Sequence, residues 1–321
     1  MHIIWNRYPD IKLELEAIID LMDENAKCKD KIIENSIKEL VHANGKMIRP
    51  AFTIIAAHFG DYESEKVRAL SAVVELFHMA TLVHDDVIDD AKLRRGRETI
   101  QSKYGKEYAV YIGDYLFCIC FKILAQTASL QSIQMDSRAM SRICLGEIEQ
   151  LNSRFDTDVS LKNYLRRIAG KTAELFSLSL YIGAAESGCN MRLSKRFHRI
   201  GHHVGMAFQI IDDILDYKGD EKTVGKDQGK DIREGVYNLP LIYALEKKPQ
   251  DLINLLEKEA YEDADVEQII QLVKNYEGIE KAQNLAKKYT DKAYKEIHKL
   301  PDNPYKEILL EIVTMLLERS Y

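Results

Sequence analysis

The sequence predicts an all-α protein. Three observations carry that prediction. Proline is missing from the long middle of the chain, apolar residues recur at three- and four-residue spacing, and the alternation of a half-buried strand is scarce. The six prolines are Pro9, Pro50, Pro240, Pro249, Pro301 and Pro304, so no ring interrupts a helix between Pro50 and Pro240. Within that interval Val73, Val74, Phe77, Ala80 and Thr81 run along one face, and Leu175, Leu178 and Ile182 along another. The expectation is a single domain over residues 1–321, built from roughly a dozen helices.

Composition agrees. Hydrophobic residues make up 46% of the chain, enough for a large core, and charged residues 30%, which suits a soluble surface. The length of 321 residues allows two domains, but no Ser/Pro-rich spacer or low-complexity tract marks a boundary. A net charge of −6 argues against general nucleic-acid binding, which needs a basic face. The five cysteines form no C-x-x-C pair and read as reduced thiols of a cytoplasmic protein. MHIIWNRYPD lacks the basic region and long apolar stretch of a signal peptide. YAVYIGDYLFCICFKILA is interrupted by Asp114 and Lys122, which predicts a buried helix over a membrane span.

Two segments read as loops. One is AKLRRGRET. The other is KGDEKTVGKDQGKDIREG, residues 218–235, with Gly219, Gly225, Gly229 and Gly235. A charged, glycine-punctuated stretch of that length is either a lid or binding loop, or a surface insertion.

Chemistry enters with LVHDDVIDD and FQIIDDILDY. Each holds a D-D-x-x-D triad inside an apolar run: Asp85, Asp86 and Asp89, then Asp212, Asp213 and Asp216. On a helix Asp85 and Asp89 lie about 40° apart, with Asp86 near the same face. Like charges at this spacing repel, and in a helix interior the dipole gives them no relief. One such triad is ordinarily a solvated acidic face. Two, each set among apolar residues, call for a cation between them. Carboxylates without His or Cys suit a hard ion, and Mg²⁺ fits best because it completes its shell with water and phosphate oxygens. The glycine turn of a calcium loop is missing. A di-iron bundle needs a second partner for Glu75-x-x-His78, and none is convincing.

Mg²⁺ implies phosphate, and phosphate needs cations. ANGKMIRP supplies Lys46 and Arg49, LRRG supplies Arg94 and Arg95, GKT supplies Lys171 with Thr172, and VGKD supplies Lys226. GKT lacks the frame of a P-loop. Paired arginines offer forked donors that match phosphate oxygens. Singly each is an ordinary surface charge; with two acidic triads they describe a pocket for more than one polyphosphate group.

GKMIRP, LFHMATLVHDDVIDDAKLRRG, GKT, FQIIDDILDY and VGKDQGKD, in that order, resemble the all-trans polyprenyl diphosphate synthases over about residues 40 to 245. LGEIEQL and YLRRIAGKTA are similar to the catalytic component of bacterial hexaprenyl and heptaprenyl synthases. The resemblance implies a helical bundle around a central cavity. In it the six aspartates hold a cluster of about three Mg²⁺ ions on an allylic diphosphate. It implies that Lys46, Arg49, His78 and Arg95 bind isopentenyl diphosphate and that Arg94 and Lys226 grip the allylic diphosphate. Lys171, Thr172 and Gln209 then line the place where positive charge develops. Alone, His78 reads as a core histidine and Gln209 as a buried structural amide. Two diphosphates at about −3 each and six aspartates are balanced by three Mg²⁺ and the six basic residues, leaving the pocket near neutral. The resemblance further implies a homodimer or a pair with a small regulatory subunit, and leaves peripheral membrane contact open.

Departures are modest. Asn44 and Glu98 stand where relatives often have Gly and Pro, and a lysine usual in farnesyl synthases is missing around Val236 and Tyr237. The alternatives are a geranylgeranyl synthase, a terpene cyclase and a non-catalytic partner subunit. A cyclase lacks the GKxxR that Lys46 and Arg49 complete, and a non-catalytic partner loses aspartates that this chain has.

In the family the product tail runs beside the first aspartate helix, with a floor about one turn before Asp85. Ala80 and Thr81 are small there, so growth past farnesyl length is expected. Phe77, about 12 Å before Asp85 along the helix, is either a deeper stop or core packing that faces away. Replacing Ala80 by Tyr should shorten the product. An unchanged length by mass spectrometry would remove the floor from this position.

Overall fold

The computed structural model describes residues 2–43, 45–94, 96–218, 229–258 and 260–318. Their regular elements are helices, as the sequence predicts, apart from one small hairpin in which β1 (Leu93–Arg94) pairs antiparallel with β2 (Arg97–Glu98). It lies inside AKLRRGRET, which reads as a loop in the sequence. Gly96 takes the positive φ of 76° that its tight turn needs. Three of the prolines mark helix starts. Pro9 opens α1 (Pro9–Ala26), Pro50 lies in the first turn of α3 (Ile48–Ala57), and Pro304 opens Pro304–Leu317. A missing N–H breaks no helical hydrogen bond there.

The chain forms two compact units, Met1–Asp136 with Leu178–His198, and Ser137–Ser177 with Arg199–Tyr321. The first contains α1, α2 (Lys31–Val41), α3, α4 (Ser64–Ile88), α5 (Ile100–Tyr104) and α6 (Lys106–Thr127). It also takes the start of α7 (Leu130–Asn152), the end of α9 (Glu174–Glu186) and the start of α10 (Met191–Lys218).

In this unit α4 is the hub, packed on α6, α3 and α1. Its buried residues run from Val67 to Asp86 on more than one side, which explains why its apolar pattern is nearly continuous. α6 runs antiparallel to it in three rungs. His84 lies over Gly113, where any Cβ would collide with the imidazole. The rings of Phe77 and Phe117 meet at 5.6 Å. The Cys120 thiol reaches the Val73 carbonyl at 3.7 Å. Phe77 is therefore seated against α6. Trp5, fully buried, donates its indole N–H to the Lys46 carbonyl at 2.8 Å and ties the N-terminal segment to the approach of α3.

Both α4 and α6 are long and apolar enough to cross a membrane. In α4 72% of the apolar window is buried within the protein, as in a core helix; in α6 the share is 44%. The sequence predicts α6 buried, but the structure buries one face and exposes a strip with Tyr111, Asp114, Cys118, Phe121 and Lys122.

The second unit holds the rest of α7, α8 (Leu161–Ile168), a π-helical turn (Ala169–Ala173), and the remaining parts of α9 and α10. Its C-terminal helices come next, among them Leu239–Leu245, which packs on Gly278–His298.

One buried group breaks the pattern of a satisfied core. Asp136, on the inner face of α7 with Ser132, has no hydrogen-bond partner for either carboxyl oxygen among the described residues. Burial, reinforced by the charge of Glu186, pushes it up to about 8. The folded chain thus keeps a proton that the unfolded chain releases near 3.8. This group's contribution to stability is full below about pH 4 and is lost as pH rises to about 8, at about 1.4 kcal/mol per unit. Asp136→Asn should flatten that slope. Midpoints of thermal unfolding for variant and wild type should diverge across this window, and parallel curves would contradict the assignment.

Candidate active site

In the first unit the aspartate triad ends α4. Asp85 and Asp86 occupy its last turn, Asp89 caps it, and Asp90 turns left-handed at φ 47° and closes the helix. The sequence places these carboxylates in a helix interior. The structure places them at the carbonyl end, where the dipole adds to their mutual repulsion. They are not equivalent. Asp86 is buried and accepts a hydrogen bond from Arg94 Nε at 2.7 Å, whereas Asp85 and Asp89 are half-buried. Arg94 stands on β1, so the hairpin carries its guanidinium back over the helix end. The Thr99 hydroxyl and Gln101 amide, both bonded to the Ala91 carbonyl at 2.7 and 2.8 Å, fix that return. Exposed Asp90 is engaged by Lys106 and Lys92, which hold it below the usual carboxylate range.

Lys46, Arg49 and His78 belong to the same unit. Lys46 is exposed, Arg49 is half-buried in the first turn of α3, and Met47 between them sits at φ 52°, ψ 34°. A left-handed conformation is uncommon for a residue with a side chain and is concentrated at functional sites. The Trp5 bond to Lys46 braces it. His78 is half-buried on α4, about 10 Å before Asp85. Arg95 and Lys226 lie outside the described residues, as does most of the expected 218–235 loop.

In the second unit a chain of hydrogen bonds joins three of the expected residues. The Thr172 hydroxyl donates to Gln209 Oε1 at 2.7 Å, and Gln209 Nε2 donates to Asp213 Oδ1 at 2.8 Å. Tyr164, on α8 and fully buried, donates to Asp213 Oδ2 at 2.6 Å. Both oxygens of Asp213 are thereby occupied by protein donors. Burial pushes Asp213 up to about 7, opposed by the bonds from Tyr164 and Gln209 and assisted by the charges of Asp231 and Asp212. Asp212 and Asp216 are half-buried on the same helix. Lys171 Nζ is 2.8 Å from Glu147 of α7. Lys171 and Thr172 ride on the π-helical turn, a feature frequent at functional sites. Gly146 permits the close approach of α7 to it, since a Cβ there would lie 2.9 Å from the Lys171 backbone nitrogen.

Tyr164, Glu147 and Arg167 carry no expected role. Tyr164 and Lys171 stand seven residues apart within YLRRIAGKTA, which a regular helix would place on one side, but the π-helical turn lies between them and changes that bearing. Arg167, buried, donates to the Tyr237 carbonyl at 2.8 Å and the Ser153 hydroxyl at 3.1 Å. It ties the segment after the glycine-rich loop to the end of α7.

The profile of polyprenyl synthetases matches residues 30–273. The chain belongs to the polyprenyl synthetase family. It is 36% identical over 321 residues to heptaprenyl diphosphate synthase component 2 of Geobacillus stearothermophilus, covering 96% of this chain and 100% of that one. Among solved structures it is similar to a geranylgeranyl pyrophosphate synthase from Lactobacillus brevis (TM-score 0.93, 37% identity, 99% of each chain). It is also similar to a polyprenyl synthase from Caulobacter crescentus complexed with calcium and isoprenyl diphosphate (TM-score 0.90, 32% identity, 97% of this chain and 96% of that one). This polyprenyl synthetase is a prenyltransferase of the diphosphate synthase kind.

The donor chemistry of the synthetase fits a hard divalent ion. It offers carboxylate oxygens, crowded in the first triad against the negative end of a helix. Among the described residues no three His, Cys, Asp or Glu converge as a closed metal cage. Mg²⁺ ordinarily takes one or two carboxylates and completes its shell with water and phosphate. Removing the donor to buried Asp213 should be felt in the fold. Tyr164→Phe should lower stability by about 1–3 kcal/mol, read as a fall in the thermal unfolding midpoint. An unchanged midpoint would leave the Tyr164 hydroxyl without weight in holding Asp213.

Proposed function

We propose that this chain adds isopentenyl diphosphate to an allylic diphosphate, with farnesyl diphosphate as primer. The product is an all-trans polyprenyl diphosphate of hexaprenyl or heptaprenyl length, for a quinone side chain such as that of menaquinone. The observation that carries the reading is the crowding of Asp85, Asp86 and Asp89 at the end of α4 under Arg94, in a chain of this family. Similarity to heptaprenyl synthase component 2 and the small Ala80 and Thr81 support the length. The family match runs through residues of both units, which supports one functional domain over 1–321.

Asp85, Asp86 and Asp89 with Asp212, Asp213 and Asp216 are the residues that would hold Mg²⁺, about three ions in all. When bound, the metal would stabilise charge on the departing diphosphate. Lys46, Arg49, His78 and Arg95 hold the diphosphate of isopentenyl diphosphate. Arg94 and Lys226 grip the allylic one; Arg94 has five N–H donors and gives one to Asp86. The allylic C–O bond breaks with its electron pair leaving on the diphosphate. The alkene pair of isopentenyl diphosphate then forms the new C–C bond, positioned at close range. The released diphosphate takes the proton lost in restoring a double bond. Lys171, Thr172 and Gln209 line the developing cation, with the Gln209 carbonyl oriented by the Thr172 hydroxyl.

A geranylgeranyl product is the second reading, favoured by the similarity to the Lactobacillus brevis enzyme. The exposed strip of α6 supports a homodimer, and similarity to a protein named as component 2 supports a small partner subunit. Five free cysteines support a reducing cytoplasm, with peripheral membrane contact for release of an apolar product. Incubation with isopentenyl and farnesyl diphosphates and Mg²⁺, with products sized by mass spectrometry, tests the whole. Products longer than geranylgeranyl, abolished by excess chelator, are expected. A product stopping at geranylgeranyl selects the second reading, and turnover undiminished in chelator overturns both.

A further inference from the structure

Prenyl transfer as proposed gives Glu147 no role, yet this carboxylate holds a residue expected at the reacting centre. Its Oε2 accepts from Lys171 Nζ at 2.8 Å, and both side chains are largely covered, at 20% and 28% exposure. A partly buried ion pair is screened less than one at an open surface.

The backbone beneath the pair leaves it little freedom. In the second unit α7 meets the π-helical turn at two glycines. A Cβ on Gly146 would lie 2.9 Å from the Lys171 nitrogen, and one on Gly170 would lie 2.7 Å from the Arg142 carbonyl oxygen. Gly146 precedes Glu147 and Gly170 precedes Lys171, so the two main chains touch at the base of the pair itself. Two further ion pairs fasten α7 along the same stretch. Arg142 donates to both oxygens of Glu174 at 3.0 and 3.1 Å, and Arg166 Nε lies 2.9 Å from Glu149. Of the three, Glu147 with Lys171 is the pair that includes a residue of the proposed reaction. One position further, the Thr172 hydroxyl is bonded to Gln209 Oε1.

Resting on the proposed function, we infer that Glu147 is a positioning residue that holds the Lys171 ammonium and offsets its charge while the allylic cation forms. A lone ammonium where positive charge develops would oppose ionisation of the substrate. With the carboxylate at 2.8 Å the two charges act as a dipole, and a dipole's field falls off faster with distance than that of a single charge. The developing cation then meets chiefly the neutral oxygens of Thr172 and Gln209. The ammonium still has N–H donors for other acceptors, so its pairing with Glu147 does not exhaust it.

The test compares wild type with Glu147→Gln, which keeps the side chain's length, and Glu147→Asp, which keeps its charge. Steady-state kinetics with isopentenyl and farnesyl diphosphates and Mg²⁺ give kcat and KM, single turnover gives the first condensation, and thermal midpoints report folding. Gln should lower kcat by about 10-fold or more, with KM for farnesyl diphosphate within about twofold of wild type or below it, since the freed ammonium still attracts a diphosphate. Asp should retain a kcat about threefold or more above that of Gln. In a Lys171→Met background the Gln substitution should change the first condensation by less than about twofold, because the charge it offset is gone. Where Lys171→Met leaves too little turnover to read, Asp against Gln decides. A folded Gln variant within about twofold of wild type in kcat, one as active as Asp, or one whose KM rises as kcat falls overturns the assignment. So does a full effect of Gln in the Lys171→Met background. If Gln does not fold, Glu147→Ala takes its place; if neither folds, the pair serves the fold and the assignment fails. A wild type that makes no prenyl product refutes the transferase reading instead, and this inference with it.

Discussion

The constraint on which the first half of the site depends is the forced proximity of carboxylates at the negative end of α4. Their mutual repulsion and the helix dipole both favour moving them apart. They cannot move, because the residues before them, Val73, Val74, Leu76, Phe77, Ala80 and Val83, fix the helix in the core of the first unit. The hydrophobic effect thus holds in place an arrangement that electrostatics opposes. Asp86 is relieved within the protein by Arg94. For the triad as a whole, with Asp85 and Asp89 half-buried, a divalent ion, as in the proposed function, would add counter-charge where the repulsion is strongest. Any ligand that binds this arrangement only in the folded chain stabilises it by linkage.

The second unit solves a similar problem with neutral donors. Asp213 receives a phenol and an amide, both fixed by their own surroundings: Tyr164 by complete burial, Gln209 by Thr172. The π-helical turn matters to this relay. One extra residue in a turn rotates the helix before it relative to the helix after it, and the turn itself carries Lys171 and Thr172. A regular helix through Ala169–Ala173 would give them another bearing. Gly146 lets α7 come close enough to bring Glu147 to the lysine.

Much of this is legible in the sequence because it rests on local pattern. Proline positions and apolar spacing announce helices, and two D-D-x-x-D triads among Leu, Val and Ile announce carboxylates crowded on helices that are otherwise apolar. The rest depends on contacts distant in sequence or on backbone conformation. That Asp86 and Asp213 are the buried members of their triads is decided by Arg94 on a hairpin and Tyr164 on another helix. Nothing in GKMIRP declares Met47 left-handed; that conformation is braced by Trp5, far away in sequence. The triad of α4 reads as a helix interior because the apolar run continues through Val87 and Ile88, while the helix ends on a left-handed Asp90 with no glycine to signal it. For α6, periodicity gives a helix but not the share of its circumference that is covered, which tertiary packing alone decides.

Under the proposed function, the flank of α4 before the triad would serve two demands that usually conflict. It would have to be apolar enough to anchor the helix and smooth enough to accept a hydrocarbon. Aromatic side chains meet the first demand and fail the second if they stand too near Asp85. The first phenyl ring before the triad, Phe77, is engaged by Phe117 of α6. Closer to the triad Ala80 is small, and the Thr81 hydroxyl is neutralised locally by donating to the His78 carbonyl at 2.9 Å. A threonine bonded back to its own helix presents mainly its methyl group, so Thr81 behaves toward an apolar neighbour much like valine. The helix thus keeps its anchor deep in the core and its smooth face beside the carboxylates. The same rise of about 1.5 Å per residue that spaces the aspartates also grades the surface along which a product would grow.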